Sequence, residues 1–331
     1  MKAVLHSRYG PPNLLEIVER PTPVPGERDV LVRVLATTVS SGDCNVRNLT
    51  FVPPSMKPMA RLAFGIGKPW RPAVLGTQLA GTIEAVGARV TRFEPGDAVF
   101  GSTGMAGGGH AQYARLPEKA ALALRPHNLS FEEAVALPFG ADVAITYLRD
   151  YGRLQAGHEL LVLGASGSIG SAAVQIATHW GARVTGVCSG ANVELVRSLG
   201  ADEVIDYTQA DFAQNGQTYD RILDTVGVTT FGRCRNSLKP DGIYLPCVGS
   251  LTDLLLRQPW TSMRGDRKLK GGVAVESPAN VALIRELAES GVLRPVIDST
   301  YPLERIADAF RRAETGHKRG SVVVTVSHEQ A

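Results

Sequence analysis

Four consecutive apolar residues, Leu160-Leu161-Val162-Leu163, run directly into Gly164-Ala165-Ser166-Gly167-Ser168-Ile169-Gly170. This junction constrains the fold more than any other feature. A short apolar run bounded by breakers reads as a strand buried on both faces. Such strands belong to parallel sheets covered by helices. Parallel neighbours need a crossover, usually a helix. The following chain supplies one: residues 169–180 have Ile169, Ala173, Ile176 and Trp180 at helical spacing. A strand over 183–188 and a helix over 192–199 follow, then short strands at 203–206, 220–224, 242–248 and 272–275. The alternation predicts an α/β region with a parallel sheet.

The glycine run has a second meaning in this context. Ala165-x-Gly167-x-x-Gly170, after a buried strand and opening a helix, is a dinucleotide fingerprint with alanine at the first glycine. Small Gly164 and Ala165 permit a tight turn. Gly167 lets a pyrophosphate approach the backbone, and Gly170 lets helix and strand pack closely. The amides and dipole of the helix start, at Ser166, Ser168 and Ile169, favour phosphate. A tight turn without a ligand would use similar residues, but the alternation on both sides favours the dinucleotide.

The end of the next strand bears on which dinucleotide. NAD sites place an acid there for the ribose 2′-hydroxyl. Here it reads Val187-Cys188-Ser189-Gly190-Ala191-Asn192, without an acid, and no Lys or Arg follows until Arg197. Ser189 and Asn192 can donate to a 2′-phosphate, so NADPH is expected and NADH remains possible. A plain turn and helix cap is the other reading of these two residues.

On either side of this region the rhythm differs. Strand candidates at 30–36, 79–87 and 98–101, with Gly- and Pro-rich turns between them, suggest a barrel-like β region. Asn128 or Ser130 can cap a helix whose first turn holds Glu132 and Glu133. After Pro278 come two helices and a last strand, too little for a separate domain. The tail is therefore expected to rejoin the N-terminal part: residues 1–126 and 277–331 form one domain, and 127–276 the inserted one.

Composition removes other classes. The 331 residues suit about two domains. With 44% hydrophobic and 20% charged residues, the chain is not disordered. A net charge of +3, scattered, does not suit nucleic acid. No apolar run approaches the roughly 20 residues that span a bilayer. The start, Met1 to Arg8, is too short and too broken for a signal peptide. Cys44, Cys188, Cys234 and Cys247 are far apart, arguing against a disulfide framework and a cysteine-rich zinc site. A reduced, cytoplasmic protein is expected.

Many motifs, in order, resemble the medium-chain dehydrogenase/reductase superfamily, in its zinc-independent, quinone-oxidoreductase-like branch. They include Lys2-Ala3-Val4, Val30-Leu31-Val32-Arg33-Val34, Leu75-Gly76 with Ala80-Gly81, and Phe93-Glu94-Pro95-Gly96-Asp97. They continue through Gly164 to Gly170, Leu199-Gly200-Ala201-Asp202, Val204-Ile205-Asp206-Tyr207, Asp224-Thr225-Val226-Gly227 and Leu238-Lys239-Pro240-Asp241-Gly242. The resemblance implies a GroES-like β-barrel catalytic domain interrupted by a Rossmann dinucleotide-binding domain. Where zinc members of the family carry Cys and a His-Glu pair, this chain has Ser40, Thr77 and Gln78, so no metal is expected. Cys44 is read as a small buried group.

The implied activity is transfer of hydride from NADPH to a quinone or an α,β-unsaturated carbonyl, a small-molecule substrate. The resemblance gives Ser40 a place in the nicotinamide pocket as the candidate catalytic residue, with a hydroxyl that can hydrogen-bond a carbonyl, and Val143 an apolar contact beside it. Phe64 and Trp70 become candidate walls of a substrate lid over 51–72, or simply packing for that loop. Tyr207 falls near the adenosine ribose. Thr225, Val226, Gly227, Val248 and Gly249 lie just past two strand ends and are assigned to the ribose and nicotinamide side, with core packing an alternative for Val226 and Val248. His110 reads as an exposed residue on a glycine loop, and Asp142 as facing solvent. A homodimer is expected through the sheet edge at 272–275, next to Leu254-Leu255-Leu256 and Trp260. An NADP-dependent alcohol or carbonyl oxidoreductase, and a non-catalytic dinucleotide sensor, are the competing functions. No nucleic acid or membrane partner is expected.

Overall fold

The computed structural model describes residues 1–49, 62, 69, 73–248, 258, 259, 261 and 266–328. The chain divides into two compact units. The first holds Met1–Phe139, Glu276–Glu289 and Pro295–Ala331; the second holds Gly140–Val275 and Ser290–Arg294.

The strands of the first unit are β1 (Lys2–His6), β2 (Glu16–Glu19), β3 (Asp29–Val39), β4 (Ala73–Val74), β5 (Gln78–Val86), β6 (Ala98–Ser102), β7 (Tyr113–Pro117) and β8 (Leu122–Leu124). Those of the second are β9 (Glu159–Leu163), β10 (Arg183–Cys188), β11 (Glu203–Asp206), β12 (Tyr219–Asp224), β13 (Leu238–Pro246) and β14 (Lys268–Leu269). The chain then returns to the first unit with β15 (Ile297–Pro302) and β16 (Ser321–Thr325).

In the first unit, β1, β2 and β4 form a small antiparallel sheet, and a seven-stranded sheet runs β15-β16-β3-β5-β6-β8 with β7 also on β3. The long β3 organises it, pairing antiparallel with β16, β5 and β7. Its inward residues Val30, Val32 and Val34 meet Leu79, Ile83, Val99, Phe310, Val322 and Val324 in one core. Burial of this apolar surface, worth about 25 cal/mol per Å², draws the C-terminal strand back to a sheet begun by the N-terminal segment. Gly81 allows the close approach of β3: a Cβ there would lie 2.0 Å from the Arg33 carbonyl oxygen.

In the second unit the order is β11-β10-β9-β12-β13-β14, every pair parallel. The first strand lies in the middle and the order reverses beside it, between β9 and β12. Doubly wound dinucleotide-binding sheets have this order and bind ligands at this switch point. Leu160, Leu161 and Val162 are fully buried, as the unbroken apolar run requires.

One sequence expectation is corrected. Residues 272–275 are not a strand; the edge strand is β14, two residues long. The Val-Ala-Val run carries strand propensity, but the carbonyls of Gly272 and Val273 at its start are otherwise engaged. Tyr147 Oη donates to the Gly272 oxygen at 2.7 Å and Tyr151 Oη to the Val273 oxygen at 3.1 Å. Val273 and Val275 are left exposed. Among the described residues, no helix is long and apolar enough to cross a membrane.

Candidate cofactor and substrate sites

β9 ends in a turn built around Gly164, whose φ of +77° is a left-handed conformation that glycine adopts without strain. The amides of Gly164 and Ala165 both donate to the Val187 oxygen at 3.0 Å, tying the turn to β10. Ala165 is fully buried, and Gly186 leaves room for its methyl: a Cβ on Gly186 would lie 3.1 Å from Ala165 Cβ. That is how alanine is accommodated at the first glycine of the fingerprint.

The helix Ser168–His179 starts at Gly167, which as N-cap provides no side-chain hydrogen bond to the first turn. The positive end of the helix dipole thus lies at the C-terminal edge of β9, with no side chain on the N-cap residue itself. The three glycines differ in kind. A Cβ on Gly170 would lie 2.1 Å from the Gly164 oxygen, so Gly170 serves packing. Among the described residues, a Cβ on Gly167 would meet only that oxygen, at 3.4 Å, which is ordinary contact. This glycine-lined helix start fits a dinucleotide pyrophosphate. Gly140, which the sequence reading passed over, also packs here: its Cβ would lie 2.2 Å from the Ser168 oxygen.

Beside the cradle, residues past β12 and β13 meet. A Cβ on Gly164 would strike Val226 Cγ2 at 2.3 Å and Thr225 Oγ1 at 2.7 Å, and one on Gly227 would lie 2.9 Å from Val248 Cβ. Thr225 Oγ1 donates to the Leu163 oxygen at 2.8 Å. Val226 and Val248 are 47% and 62% exposed, so neither is core. Asp224, which opens the Asp224-Thr225-Val226-Gly227 motif but was given no role of its own, is fully buried beneath them.

On the other side, Asn192 Nδ2 donates to Ser189 Oγ at 3.1 Å and to Ser166 Oγ at 3.2 Å. Asn192 Oδ1 is buried and has no hydrogen-bond partner among the described residues. Tyr207 joins this group through its amide, which donates to the Cys188 oxygen at 3.0 Å, while its ring is exposed. An acid does stand nearby, on the next strand. A Cβ on Gly190 would lie 2.6 Å from Asp206 Oδ2. Hydrogen bonds from Thr208 and the Gly190 amide hold the Asp206 carboxyl below the usual carboxylate range.

In the first unit, Ser40 caps the helix Ser41–Asn48 in a capping box with Asp43. The Ser-x-x-Asp spacing signals this box in the sequence. Ser40 Oγ and its amide donate to Asp43 Oδ2 at 2.6 and 2.9 Å, and the Asp43 amide donates back at 3.2 Å. Asp43 Oδ1 accepts from the Gly76 amide at 3.2 Å. Gly76, at φ +94°, lies against His110, whose amide nitrogen a Cβ would approach to 2.5 Å.

His110 is fully buried, which corrects the expectation that it is exposed. Gly76 brings the loop inward, and the ring packs edge-on against Phe310 with centroids 5.8 Å apart. Its Nε2 lies 3.1 Å from the Thr38 oxygen, so that nitrogen carries the proton. Nδ1 then has no hydrogen-bond partner among the described residues. Burial lowers the imidazole pKa, opposed by the nearby Asp43 charge.

Ser40, Thr77 and Gln78, which the sequence resemblance sets against the zinc ligands, are a hydroxyl pair and an amide. Gln78 is buried and accepts from Thr38 Oγ1 at 3.1 Å. Among the described residues, no group of three or more His, Cys, Asp or Glu side chains is gathered to hold a metal ion. Cys44 is half-buried against the core of the first unit, and burial, Glu314 and Asp43 push its thiol up to about 12.

Asp142 is also a correction: it is buried rather than solvent-facing, because the helix Pro138–Ile145 turns that face inward. Val143 follows it, half-buried, in the same helix. Phe64, Trp70, Gly249, the Leu254-Leu255-Leu256 run and Trp260 lie outside the described residues. A cavity of about 450 Å³ opens at the opposite, N-terminal edge of the parallel sheet, lined by Glu159, Arg183, Asp202, Glu203, Tyr219 and Lys239. It is remote from the glycine loop, and Lys239 beside it is already paired with Asp220 at 2.9 Å.

Comparison with known proteins agrees with this architecture. Residues 26–126 match the alcohol dehydrogenase GroES-like domain, and residues 199–324 match the zinc-binding dehydrogenase family. The chain is 32% identical over 330 residues to the mitochondrial NAD(P)H oxidoreductase RTN4IP1 of Mus musculus, covering 90% of this chain and 82% of that protein. It is 31% identical over 340 residues to the chloroplastic NADPH-dependent alkenal/one oxidoreductase of Arabidopsis thaliana, covering 98% and 79%. The quinone oxidoreductase of Coxiella burnetii has the same fold, with a TM-score of 0.85 over 99% of both chains at 24% identity. A GroES-like barrel interrupted by a Rossmann sheet defines the class. The chain belongs to the medium-chain dehydrogenase/reductase superfamily, in its quinone-oxidoreductase-like branch.

Proposed function

We propose that the protein is an NAD(P)H-dependent oxidoreductase that reduces a quinone or an α,β-unsaturated carbonyl without zinc. The observation that carries the reading is the helix start at Gly167, where a Cβ would meet only the Gly164 oxygen among the described residues, at the switch point of a parallel sheet. Relatives named for NAD(P)H oxidation and for alkenal/one reduction support the substrate class.

A bound nicotinamide supplies hydride; this chain supplies binding, orientation and electrostatics. The amides of Ser168, Ile169 and Gly170 face the pyrophosphate, with the dipole of their helix behind them. Ser166, Ser189, Asn192 and Tyr207 border the adenosine ribose. Thr225, Val226, Gly227, Val248 and Gly249 line the ribose and nicotinamide edge, and Val143 adds an apolar contact. Ser40, with Phe64 and Trp70, belongs to the substrate pocket. The Ser40 proton is directed at Asp43, so the hydroxyl presents its oxygen and not its hydrogen to a substrate. A proton for the reduced acceptor then comes from water. Where a zinc enzyme has its ligands, Ser40, Thr77 and Gln78 provide hydroxyls and an amide, a poor set for that ion.

NADPH is the first choice of donor, because Ser189 and Asn192 stand where an NAD site has its acid. NADH is the second reading, and the Asp206 carboxylate under Gly190 is the observation in its favour. We further place the protein in the reducing cytoplasm, consistent with four free cysteines. We assign it a homodimer through the short edge strand β14 and the exposed Val273 and Val275.

Titration of wild type with NADPH and NADH, followed by a screen of quinones, enones, ketones and secondary alcohols, tests the reading. Turnover of quinones or enones supports it. Tight NADPH binding without turnover of any acceptor leaves a dinucleotide sensor, and turnover of secondary alcohols with NADP leaves an alcohol dehydrogenase.

A further inference from the structure

Asp224 ends β12 as a carboxylate with no solvent exposure, and no role has been given to it. Its Oδ1 accepts from the amides of Val226 at 3.0 Å and Gly227 at 2.8 Å. Its Oδ2 accepts from Tyr244 Oη at 2.9 Å. Its backbone oxygen accepts from the Cys247 amide at 2.8 Å, which fixes the chain just before Val248. Its side chain therefore holds the turn that presents Val226, while its backbone continues the β12–β13 ladder to the segment that presents Val248. Tyr244 lies on β13, and its ring is seated in the apolar core of this unit beside Phe231, centroids 6.3 Å apart.

This arrangement is costly unless it serves something. Burying a carboxylate is unfavourable unless its oxygens are well supplied with hydrogen bonds. Val226 and Val248 are meanwhile held in water, 47% and 62% exposed, instead of folding inward. An apolar pair exposed at the switch point of a parallel sheet suits a flat, partly apolar ligand lying against it.

We infer that Asp224, held in place by Tyr244, is a positioning residue for the cofactor: it freezes the Val226-Gly227 turn and the approach to Val248 into the surface against which the nicotinamide ribose lies. The inference rests on the reading of residues 225–227 and 248 as the cofactor edge. Tyr244 restrains the carboxylate from below, and the carboxylate restrains the turn from below in its turn. Neither residue touches the ligand.

The test uses the full-length protein and three variants: Y244F, D224N and Y219F. Y244F removes one donor and keeps the ring. D224N replaces the carboxylate by a neutral amide, which weakens the bonds accepted from the turn amides and reverses the bond with the tyrosine hydroxyl. Y219F is the control, since Tyr219 is buried in the same core but its hydroxyl bonds to Gln217 at 2.7 Å, away from the turn. For Y244F the dissociation constant of NADPH, read by fluorescence at a temperature where every variant is folded, rises about 5- to 10-fold, a fraction of the effect of losing a direct bond to a charged group because Tyr244 acts only through Asp224. D224N rises more, and Y219F stays at the wild-type value. The KM for the acceptor is unchanged in Y244F, and hydrogen exchange at the Val226 and Gly227 amides accelerates. A purely structural role would lower thermal stability while leaving cofactor affinity and these two amides unchanged in the folded protein. That result, or equal weakening in Y219F, overturns the inference alone. A wild type that binds neither dinucleotide overturns the cofactor reading together with it.

Discussion

Ser40 Oγ donates to Asp43 Oδ2 over 2.6 Å, and the Asp43 amide returns a bond to Ser40 Oγ at 3.2 Å. The serine is thus a helix cap whose only proton is already used. Replacing it by alanine removes the cap and one partner of a buried carboxylate, costing about 1–2 kcal/mol. Ser40→Thr keeps the hydroxyl and stays within about 0.5 kcal/mol. Urea unfolding of the two variants checks this. If alanine and threonine are equally stable, the hydroxyl is not serving as the cap.

Gly167 and Gly170 are expected to fail in different ways. A side chain on Gly170 meets the Gly164 oxygen at 2.1 Å, so Gly170→Val yields little folded protein. A Cβ on Gly167 meets that oxygen at 3.4 Å and nothing else within 4 Å among the described residues. Gly167→Val therefore folds, with near-wild-type circular dichroism, but loses NADPH binding by at least about 100-fold, the equivalent of about 2.7 kcal/mol. Retained binding in folded Gly167→Val would remove the phosphate cradle from the account.

His110 gives a pH dependence with a definite sign. Burial lowers its pKa below the ordinary 6.5, so the unfolded chain takes up a proton at a pH where the fold keeps the ring neutral. Stability rises with pH wherever the unfolded state binds more protons. This contribution is fully present above about 6.5 and is lost as the pH falls from there toward the folded value. His6, also lowered by burial, adds in the same direction. Thermal midpoints between pH 5 and 7.5 should fall toward acid, and His110→Gln should flatten part of that slope. An unchanged slope in the variant would mean that His110 is not buried neutral.

The parallel sheet and the glycine turn were legible because both depend on neighbours in sequence. β9 is an unbroken apolar run, and the fingerprint follows within seven residues. Features that depend on distant partners were not legible. Residues 272–275 have strand propensity, but hydroxyls from Tyr147 and Tyr151 take two of their carbonyls. His110 lies among glycines that suggest a surface loop, yet Phe310 and Thr38 enclose it. Asp224 was part of a recognised motif, but its function depends on Tyr244 in another strand. Asp206 shows the same limit, since only the pairing of β10 with β11 brings its carboxylate under Gly190. The Ser40–Asp43 box differs, because its spacing was visible and could have been read as a cap.

The central claim is hydride transfer from a reduced nicotinamide to an electron-poor carbon conjugated to a carbonyl. It is tested most directly with NADPH deuterated at C4, on each face in separate reactions, and a simple enone as acceptor. Mass spectrometry and NMR of the product locate the label. The account predicts a saturated ketone with one deuterium on the carbon β to the carbonyl, from one of the two labelled faces only. Deuterium on the carbonyl carbon of an allylic alcohol, or no transfer from either face, would contradict it.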